Sequence, residues 1–296
     1  MRANEVLTYL LFMRGDVALH KSRVDMVMPK QWFKSSNATP FAMSTTQASV
    51  GLMTGFATAH PDIKRPAALK DSEPQKADLL MAPSGFAEIF SQDWFSDVEV
   101  PKGGNFSIED FAEVMRQKKI LPPENISDPK NGVFQTDTGE IVMRFKEGLV
   151  KVATPRTEAV SLKPETKNER AGGLLVKSVD VPAAVAITSM DGKSISKSAR
   201  LVLVVNTDNI STGFRTSADR SILKDRGSLP VLVRTVKLSA EIALDPDRRF
   251  DVYALGMNGK RLQKLSFPCE NGAMKIDLDT ASLESGPSVF FEIAAR

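Results

Sequence analysis

Two pairs of carboxylates are spaced closely enough along the chain to carry out acid–base chemistry. Asp137 and Glu140 lie in the sequence Thr-Asp-Thr-Gly-Glu, and Glu88 and Asp93 are five positions apart. Glycoside hydrolysis needs two such carboxylates, one as the acid and one as the base or nucleophile. The first pair also has the composition of a polar turn between strands, because its glycine can adopt a positive φ. We favour the turn, and a glycosidase using carboxylates within residues 77–140 stays open as an alternative.

Aromatic side chains are the second group that could do chemistry, here the binding of sugars. Trp32 and Trp94 sit in the sequences Gln-Trp-Phe and Asp-Trp-Phe, and Tyr253 lies in a later strand-like segment. Carbohydrate sites use such rings as stacking platforms with polar groups at their edges. Large aromatic residues are also mostly buried in cores, which is the competing interpretation. Trp32, Trp94 and Tyr253 are therefore our candidate carbohydrate-binding residues.

Other kinds of active or binding site have little support in the sequence. The two histidines, His20 and His60, are forty residues apart and show no metal-ligand spacing. The chain has no Gly-x-Ser-x-Gly elbow, no Walker motif and no dinucleotide fingerprint. We expect no metal and no cofactor.

Length and charge narrow the class of partner. The chain has 296 residues, enough for two ordinary domains, and a formal net charge of +3. Nucleic-acid binders concentrate their basic residues in a patch or stripe, and the basic groups here are short and lie near acids. We expect no nucleic-acid partner. The chain could form a homo-oligomer.

The N-terminal apolar segment, residues 6–13, predicts a helix that packs on another structure. No small-residue cleavage site follows it, so a signal peptide is not indicated. Eight residues are too few to span a bilayer, and no membrane partner is expected. The compartment is left open, although a parent protein could be secreted or periplasmic. The large apolar surface of this short helix indicates a missing partner domain and hence a fragment.

Residues 21–129 have the pattern of a small α/β domain. Alternation predicts a strand over residues 23–28, and an apolar run predicts a second over residues 77–82. Residues 48–59, with small residues at regular spacing, predict a helix. A clearer helix begins after Ser107, a good N-cap, and places two lysines (118 and 119) in its last turn.

From about residue 130 the hydrophobic period changes to two, which predicts short strands. The dipeptides Asp191-Gly192, Asn258-Gly259 and Asn271-Gly272 are typical of hairpin turns. About ten strands without a convincing helix indicate a sandwich or barrel. The fold class is thus an α+β multidomain chain, a small α/β layer followed by an all-β antiparallel sandwich. The predicted divisions are a terminal helix (1–20), an α/β domain (21–129) and a β-sandwich domain (130–296). The predicted strands are 141–145, 149–153, 157–162, 201–205, 231–236, 238–244, 250–255, 274–278 and 289–293.

Five segments together resemble the C-terminal region of large bacterial glycoside-hydrolase-like proteins. Their order and spacing span the first twenty residues and most of residues 130–296. The segments are Phe-Met-Arg-Gly-Asp-Val (12–17), Thr-Asp-Thr-Gly-Glu (136–140), Val-Ala-Thr-Pro-Arg-Thr-Glu-Ala-Val (152–160), Ser-Lys-Ser-Ala-Arg-Leu-Val-Leu-Val (196–204) with Ser-Thr-Gly (211–213), and Val-Tyr-Ala-Leu (252–255) with Asn-Gly-Lys-Arg (258–261). The sequence departs from the family pattern at Glu158, where glutamine is usual, and at residues 210–214, where Asn-Thr-Gly-Met is typical.

The resemblance implies an accessory region that follows a catalytic (β/α)₈ barrel. In that arrangement residues 12–17 close the last barrel helix, an α/β insertion follows, and a β-sandwich ends the chain. The catalytic carboxylates of such enzymes lie on the barrel strands. No catalytic residue is therefore assigned here. The implied function is that of a non-catalytic part of an enzyme acting on polysaccharide, with the upstream barrel as its partner. A free-standing carbohydrate-binding protein is the first alternative.

Overall fold

The structure is a computed structural model that describes residues 7–21, 23–27, 52–59, 108–117, 119–219 and 221–296, and most of its regular structure is β. Contacts divide the chain into two compact units, one of residues 1–17 and 147–296 and the other of residues 18–146. The predicted division at residues 20 and 129 stays a prediction. The strands are β1 (Arg23–Val27), β2 (Gly55–Ala59), β3 (Val133–Gln135), β4 (Ile141–Arg144), β5 (Leu149–Ala153), β6 (Thr157–Leu162), β7 (Glu169–Ala171), β8 (Leu174–Val179), β9 (Ala183–Ser189), β10 (Arg200–Asn206), β11 (Asn209–Thr212), β12 (Arg215–Thr216), β13 (Leu223–Asp225), β14 (Ser228–Val233), β15 (Lys237–Ala243), β16 (Phe250–Leu255), β17 (Arg261–Leu265), β18 (Cys269–Glu270), β19 (Ala273–Asp279) and β20 (Phe290–Ala295).

The larger unit is an antiparallel β-sandwich. One sheet has the strand order β17-β16-β20-β10-β9-β6-β5 and the other has β18-β19-β15-β8-β7. Every described pairing within these two sheets is antiparallel. The prediction of an antiparallel sandwich is confirmed. We call the first the large sheet and the second the small sheet.

The core lies between these two sheets and follows directly from residue alternation. In β15, Leu238, Ala240 and Ile242 are buried while the residues between them face outward. The large sheet contributes alternating residues in the same way, including the fully buried Phe291 and Ile293 of β20. Side chains of a strand point to opposite faces in turn, so each strand gives one face to the core. The outer face of the large sheet positions other groups, which are described below.

Glycine turns close several of these strand pairs as the sequence predicts. Asn271 and Gly272 connect β18 to β19 with φ of 51° and 76°, the two positive values that a type I′ turn requires. Gly259, with φ of 76°, lies in the connection of β16 to β17. Asp191-Gly192 does not form a two-residue hairpin. It opens a ten-residue connection between β9 and β10, which includes a 3₁₀ turn at Ile195–Lys197.

The loop between β9 and β10 is organised by one carboxylate. Asp191 accepts hydrogen bonds from Ser198 Oγ at 2.8 Å, the Ala199 amide at 2.8 Å and Ser189 Oγ at 3.0 Å. Burial raises the pKa of Asp191, but these donors outweigh burial and hold the pKa well below its usual range. The Asp-Gly signal thus marks a loop fixed by side-chain capping.

The smaller unit contains a parallel strand pair, a helix and a hairpin. β1 and β2 pair in parallel, with Arg23 opposite Gly55 and Val27 opposite Ala59. Helix α1 spans Ile108–Gln117, which confirms the predicted helix, and a 3₁₀ turn follows at Pro129–Asn131. β3 and β4 form an antiparallel hairpin. The predicted strand at residues 77–82 lies outside the described residues.

Two expectations for this unit are wrong. Of the helix predicted over residues 48–59, residues 52–53 are helical but residues 55–59 are strand β2, and residues 48–51 lie outside the described residues. Small residues occur in helices and strands alike, so their spacing did not discriminate, whereas Phe56 and Thr58 have strand propensity. Lys119 has φ of 58° and lies beyond α1, which ends at Gln117. Its left-handed backbone cannot continue a helix.

A long two-stranded ribbon, residues 209–233, extends the chain between β10 and β15. β11 pairs with β14, and β12 pairs with β13 nearer the tip. All six residues of β14 are exposed. The predicted strand over residues 231–236 is therefore displaced: residues 231–233 end β14 of the ribbon, and Val236 packs in the sandwich core outside any strand. We refer to residues 209–233 as the ribbon below.

Candidate functional site

Tyr253 is the one candidate carbohydrate-binding residue that lies among the described residues. It is in β16 on the outer face of the large sheet, because its neighbours Val252 and Ala254 point into the core. The strand register places Tyr253 opposite Glu292 of β20 and Lys264 of β17. Trp32 and Trp94 lie outside the described residues.

The ring of Tyr253 is already covered by cations. The guanidinium carbon of Arg261 is 4.2 Å from the ring centroid, and Lys264 Nζ is 5.9 Å from it. A cation held over an aromatic face gains about 0.5–1 kcal/mol at an exposed site. A sugar could stack on this ring only by displacing Arg261. The structure thus gives Tyr253 a neighbour that the sequence did not point to.

Glu292 anchors the same surface beneath the two arginines. Glu292 is only 3% exposed. Its two carboxylate oxygens accept hydrogen bonds from Arg200 Nε and Arg261 Nε, each at 2.6 Å. Burial raises the pKa of Glu292, but the hydrogen bonds from Arg261 and Arg200 outweigh it and lower the pKa below its ordinary value. Glu292 is therefore ionised, and it holds both guanidinium groups on this surface.

We call Arg200, Tyr253, Arg261, Lys264 and Glu292 the arginine–tyrosine cluster. Lys264 is paired with Asp251 at 2.9 Å, so the cations of the cluster that share the single carboxylate of Glu292 are Arg200 and Arg261. The side chains of Arg200 and Arg261 are 60% and 50% exposed, so their remaining N–H groups face solvent. Guanidinium groups recognise carboxylates, sulfates and phosphates through paired hydrogen bonds. The arrangement supports binding of an anionic group, and the cluster contains no paired acid and base for hydrolysis.

A group of ion pairs and hydrogen bonds fixes residues 7–17 to the outer face of the large sheet. Asp16 is buried, and Arg156 Nη2 approaches its Oδ1 at 2.7 Å while Thr157 Oγ1 donates to its Oδ2 at 2.6 Å. Arg14 is ion-paired with the same carboxylate and also donates to Thr188 Oγ1 at 2.6 Å. We call these five residues the Asp16 lock.

In the Asp16 lock, hydrogen-bond donors and arginine charges stabilise the ionised carboxylate of Asp16. Burial raises the pKa of Asp16. The hydrogen bonds from Arg14 and Thr157 and the charge of Arg156 together outweigh burial, so the pKa lies below its ordinary value. A buried carboxylate with two arginine partners ties the segment to β6 and β9. The sequence Arg-Gly-Asp at residues 14–16 is thus a structural contact in this chain.

The same segment presents apolar side chains on its other side. Residues 9–13 form a π-helical turn, within which Leu10 is buried, and Leu7 packs against Ala186 and Val204 of the sheet. Tyr9, Phe12 and Met13 are 56%, 62% and 77% exposed. Three large apolar side chains on a rigidly held turn form an apolar patch of the kind that marks interaction sites.

The carboxylates considered for catalysis have structural partners in the smaller unit. The Thr-Asp-Thr-Gly-Glu segment connects β3 to β4, with Gly139 at φ of 79°. Asp137 is buried and pairs with His20 Nδ1 at 2.7 Å, and Glu140 accepts from the Ala18 amide at 2.7 Å. The turn interpretation is confirmed. Glu88 and Asp93 lie outside the described residues.

One buried carboxylate was not singled out as a site from sequence. Glu158 in β6 accepts a hydrogen bond from the Leu174 amide at 2.9 Å, and a Cβ atom at Gly172 would lie 2.1 Å from its Oε1. Two consecutive glycines, Gly172 and Gly173, therefore leave the space that this side chain occupies. Burial raises the pKa of Glu158, and the amides of Gly173 and Leu174 only partly offset the effect. In the sequence, the only indication of this buried carboxylate was the pair Gly172-Gly173, which leaves room for a side chain.

The outer face of the small sheet carries a groove of about 640 Å³. Asp180, Asp277 and Asp279 line it, and each already has a donor: the Lys237 amide at 2.7 Å, Ser239 Oγ at 2.7 Å and the Ala281 amide at 3.0 Å. None of the described residues that line this groove has an aromatic ring. It lacks the stacking platform that we would require of a sugar site.

Comparisons with known proteins identify no relative. No family model matches the chain, no curated protein matches it, and no solved structure matches it. Among the described residues no group of three or more His, Cys, Asp or Glu side chains is placed to hold a metal ion. Within that same part of the chain, no helix has the length and apolar character needed to cross a membrane.

Proposed function

We propose that the chain is an accessory, non-catalytic C-terminal region of a glycoside-hydrolase-like protein acting on polysaccharide, with residues 21–129 as a small α/β layer. Its sandwich supports a catalytic barrel, and residues 7–17 join the two. The observation that carries the proposal is the apolar patch of Tyr9, Phe12 and Met13 on a segment that the Asp16 lock fixes to the sandwich. A turn held on one side and apolar on the other has the form of a connector between two domains.

The size of the natural gene product tests the proposal directly. A (β/α)₈ barrel contributes about 250 residues, so we expect an antibody against residues 147–296 to detect a product of roughly 60 kDa in the source cells. An in-frame stop codon immediately before Met1, with a natural product of 32.3 kDa, would refute the proposal. An open frame that encodes barrel-type strands would support it.

A pair of variants in that larger product tests the connector itself. Phe12→Ser combined with Met13→Ser should leave the sandwich folded and make residues 7–17 more accessible to limited proteolysis, because the contact with the barrel is weakened. Leu19→Ser is the matched control, since Leu19 is also exposed, at 92%, but lies outside the segment. Equal cleavage rates in both variants would contradict the connector role.

A free-standing carbohydrate-binding protein is the second candidate, and the arginine–tyrosine cluster favours it. Two exposed guanidinium groups beside a tyrosine would suit a polysaccharide that carries carboxylate or sulfate groups. We expect the chain to be retarded in native gels containing an acidic polysaccharide, and Arg261→Gln to abolish the retardation. Lys260→Gln removes the same charge from a neighbouring position and serves as the control. Equal effects of both variants would indicate only non-specific charge attraction.

A further inference from the structure

The ribbon concentrates exposed apolar side chains that the sandwich does not cover. Its 25 residues hold eight of the 17 exposed large hydrophobic residues of the described chain. Leu229 is 83% exposed, and Val231, Leu232 and Val233 are 41%, 50% and 45% exposed. Apolar side chains clustered in this way on one projecting element indicate a protein–protein contact. The others are Ile210, Phe214, Ile222 and Leu223.

One edge of β14 is available for strand pairing. In the part of the chain that the structure describes, β14 pairs with β11 alone. The Arg234 amide donates to the Asp208 carbonyl at 2.9 Å, so by strand alternation Leu232 directs its main-chain groups toward β11. The N–H and C=O groups of Val231 and Val233 consequently point outward from the pair. Such an edge is a template for another strand.

Most exposed edge strands carry charges that discourage pairing, and β14 does not. The segment Ser228–Val233 has no charged residue, and the nearest cations are Arg226 and Arg234. The ribbon together with Arg234 has five basic and two acidic residues, a net +3 that equals the formal charge of the whole chain. An identical partner must therefore bind in a register that separates these charges.

We propose that β14 pairs with β14 of a second copy of this chain, antiparallel about a two-fold axis at Leu232. Val231 of each copy then exchanges main-chain hydrogen bonds with Val233 of the other. In this register Arg234 lies opposite Pro230, and the two Arg234 residues are four positions, or about 13 Å, apart along the ribbon. That separation exceeds the Debye length of about 8 Å at physiological salt, so the like charges are largely screened.

The contact between two copies of β14 is small. It takes six residues from each copy, fewer than the about 20–30 per partner of a stable interface, so we expect a weak dimer. A two-stranded ribbon is marginally stable by itself, and pairing through β14 would make it part of a four-stranded sheet. The two-fold arrangement also closes on itself and does not propagate into a fibre.

Sedimentation velocity of the full chain from about 1 to 100 μM, a range that spans weak to moderate affinity, tests the proposal. We expect a concentration-dependent dimer. Val233→Pro removes the outward N–H and should raise the dissociation constant at least about tenfold, since proline is tolerated on a free edge but cannot donate across it. Val233→Thr keeps the N–H and β-branching and should retain the dimer.

Three results would overturn the proposal. One is a wild-type chain that stays monomeric at about 100 μM. Another is a dimer that Val233→Pro leaves intact while circular dichroism shows both variants folded, because the contact would then lie elsewhere. The third is a monomer that co-sediments with phosphatidylserine vesicles and not with phosphatidylcholine vesicles, which would identify an anionic lipid surface as the occupant of the basic, apolar ribbon.

Discussion

The sandwich and the ribbon are both made of antiparallel strands, yet they use their side chains in opposite ways. In β15 three alternate residues are buried in the core, whereas in β14 none of the six residues is buried. The pairing geometry is the same, so main-chain hydrogen bonds alone do not explain the stability of the sandwich. The difference lies in whether a second sheet covers one face. The predictions below test this contrast between covered and uncovered strands.

The largest contrast should come from removing one apolar side chain in each region. Phe291 is fully buried between the sheets, and Phe291→Ala should lower the free energy of unfolding by about 3–5 kcal/mol through lost burial and a cavity. Leu229→Ala in the ribbon should change it by less than about 0.5 kcal/mol, measured by urea denaturation of the monomer. A loss above about 2 kcal/mol for Leu229→Ala would mean that the ribbon packs on the sandwich.

The Asp16 lock should be next in size. Asp16→Ala leaves Arg14 and Arg156 without their shared carboxylate, and breaking a buried pair typically costs 3–5 kcal/mol. Because these arginine side chains are 20% and 32% exposed, we expect a smaller loss of about 2 kcal/mol in urea denaturation. Asp245→Ala, which breaks the more exposed pair with Arg248, is the control and should cost less than about 1 kcal/mol.

The same residue predicts an acid dependence of stability. The folded pKa of Asp16 is lowered, so its contribution is present above the unfolded pKa of about 3.9 and is lost as the pH falls through the folded value. The difference in unfolding free energy between wild type and Asp16→Ala should therefore shrink between about pH 5 and pH 2. A constant difference over that range would show that the ion pairs contribute nothing.

Glu158 should give stability a pH dependence opposite in sign to that of Asp16. Its folded pKa is raised by burial, so the stability linked to its proton is present below the unfolded pKa and is lost as the pH rises through the folded value. Glu158→Gln should therefore stabilise the sandwich by about 1 kcal/mol at pH 8, with the gain vanishing near pH 4, in urea titrations at both values. Glu241→Gln, at a site where the hydrogen bond from Lys177 lowers the pKa, should instead lose stability at pH 8.

The smallest effect should be at the tip of the ribbon. Asp219 accepts hydrogen bonds from Ser217 Oγ at 2.5 Å and from the Ser221 hydroxyl and amide, which lower the pKa of Asp219 to about 2. Asp219→Asn should leave the urea midpoint unchanged and speed hydrogen exchange of the Ser221 amide. A shifted midpoint would indicate that the tip belongs to the cooperative core.

Sequence reasoning was most successful where alternation and burial agree. The bounds of β6 and β16 follow from their two-residue period, because each strand has one face in the core. It failed for the ribbon, where residues 231–236 were predicted to be a strand of the sandwich. An exposed apolar strand and a buried one have the same composition, and only the covering sheet distinguishes them.

The candidate site was only partly accessible from sequence. Tyr253 was identified from its residue type, and its place on an outer face follows from alternation in β16. The sequence did not identify the other members of the site, Arg200, Arg261 and Glu292, because only the strand order β10-β20-β16-β17 brings them together. Residues 31 to 92 positions apart in sequence give no local signal of such a contact.

The Asp16 lock has a consequence for the order of events during synthesis. Its hydrogen bonds from Arg14 and Asp16 to the sandwich strands join residues 141 to 174 positions apart, so residues 7–17 leave the ribosome long before the strands that receive them. At about 5–20 residues per second the delay is roughly 7–35 s. Throughout that time the apolar segment has no sheet to pack on, and transiently exposed apolar surface of this kind is prone to aggregation.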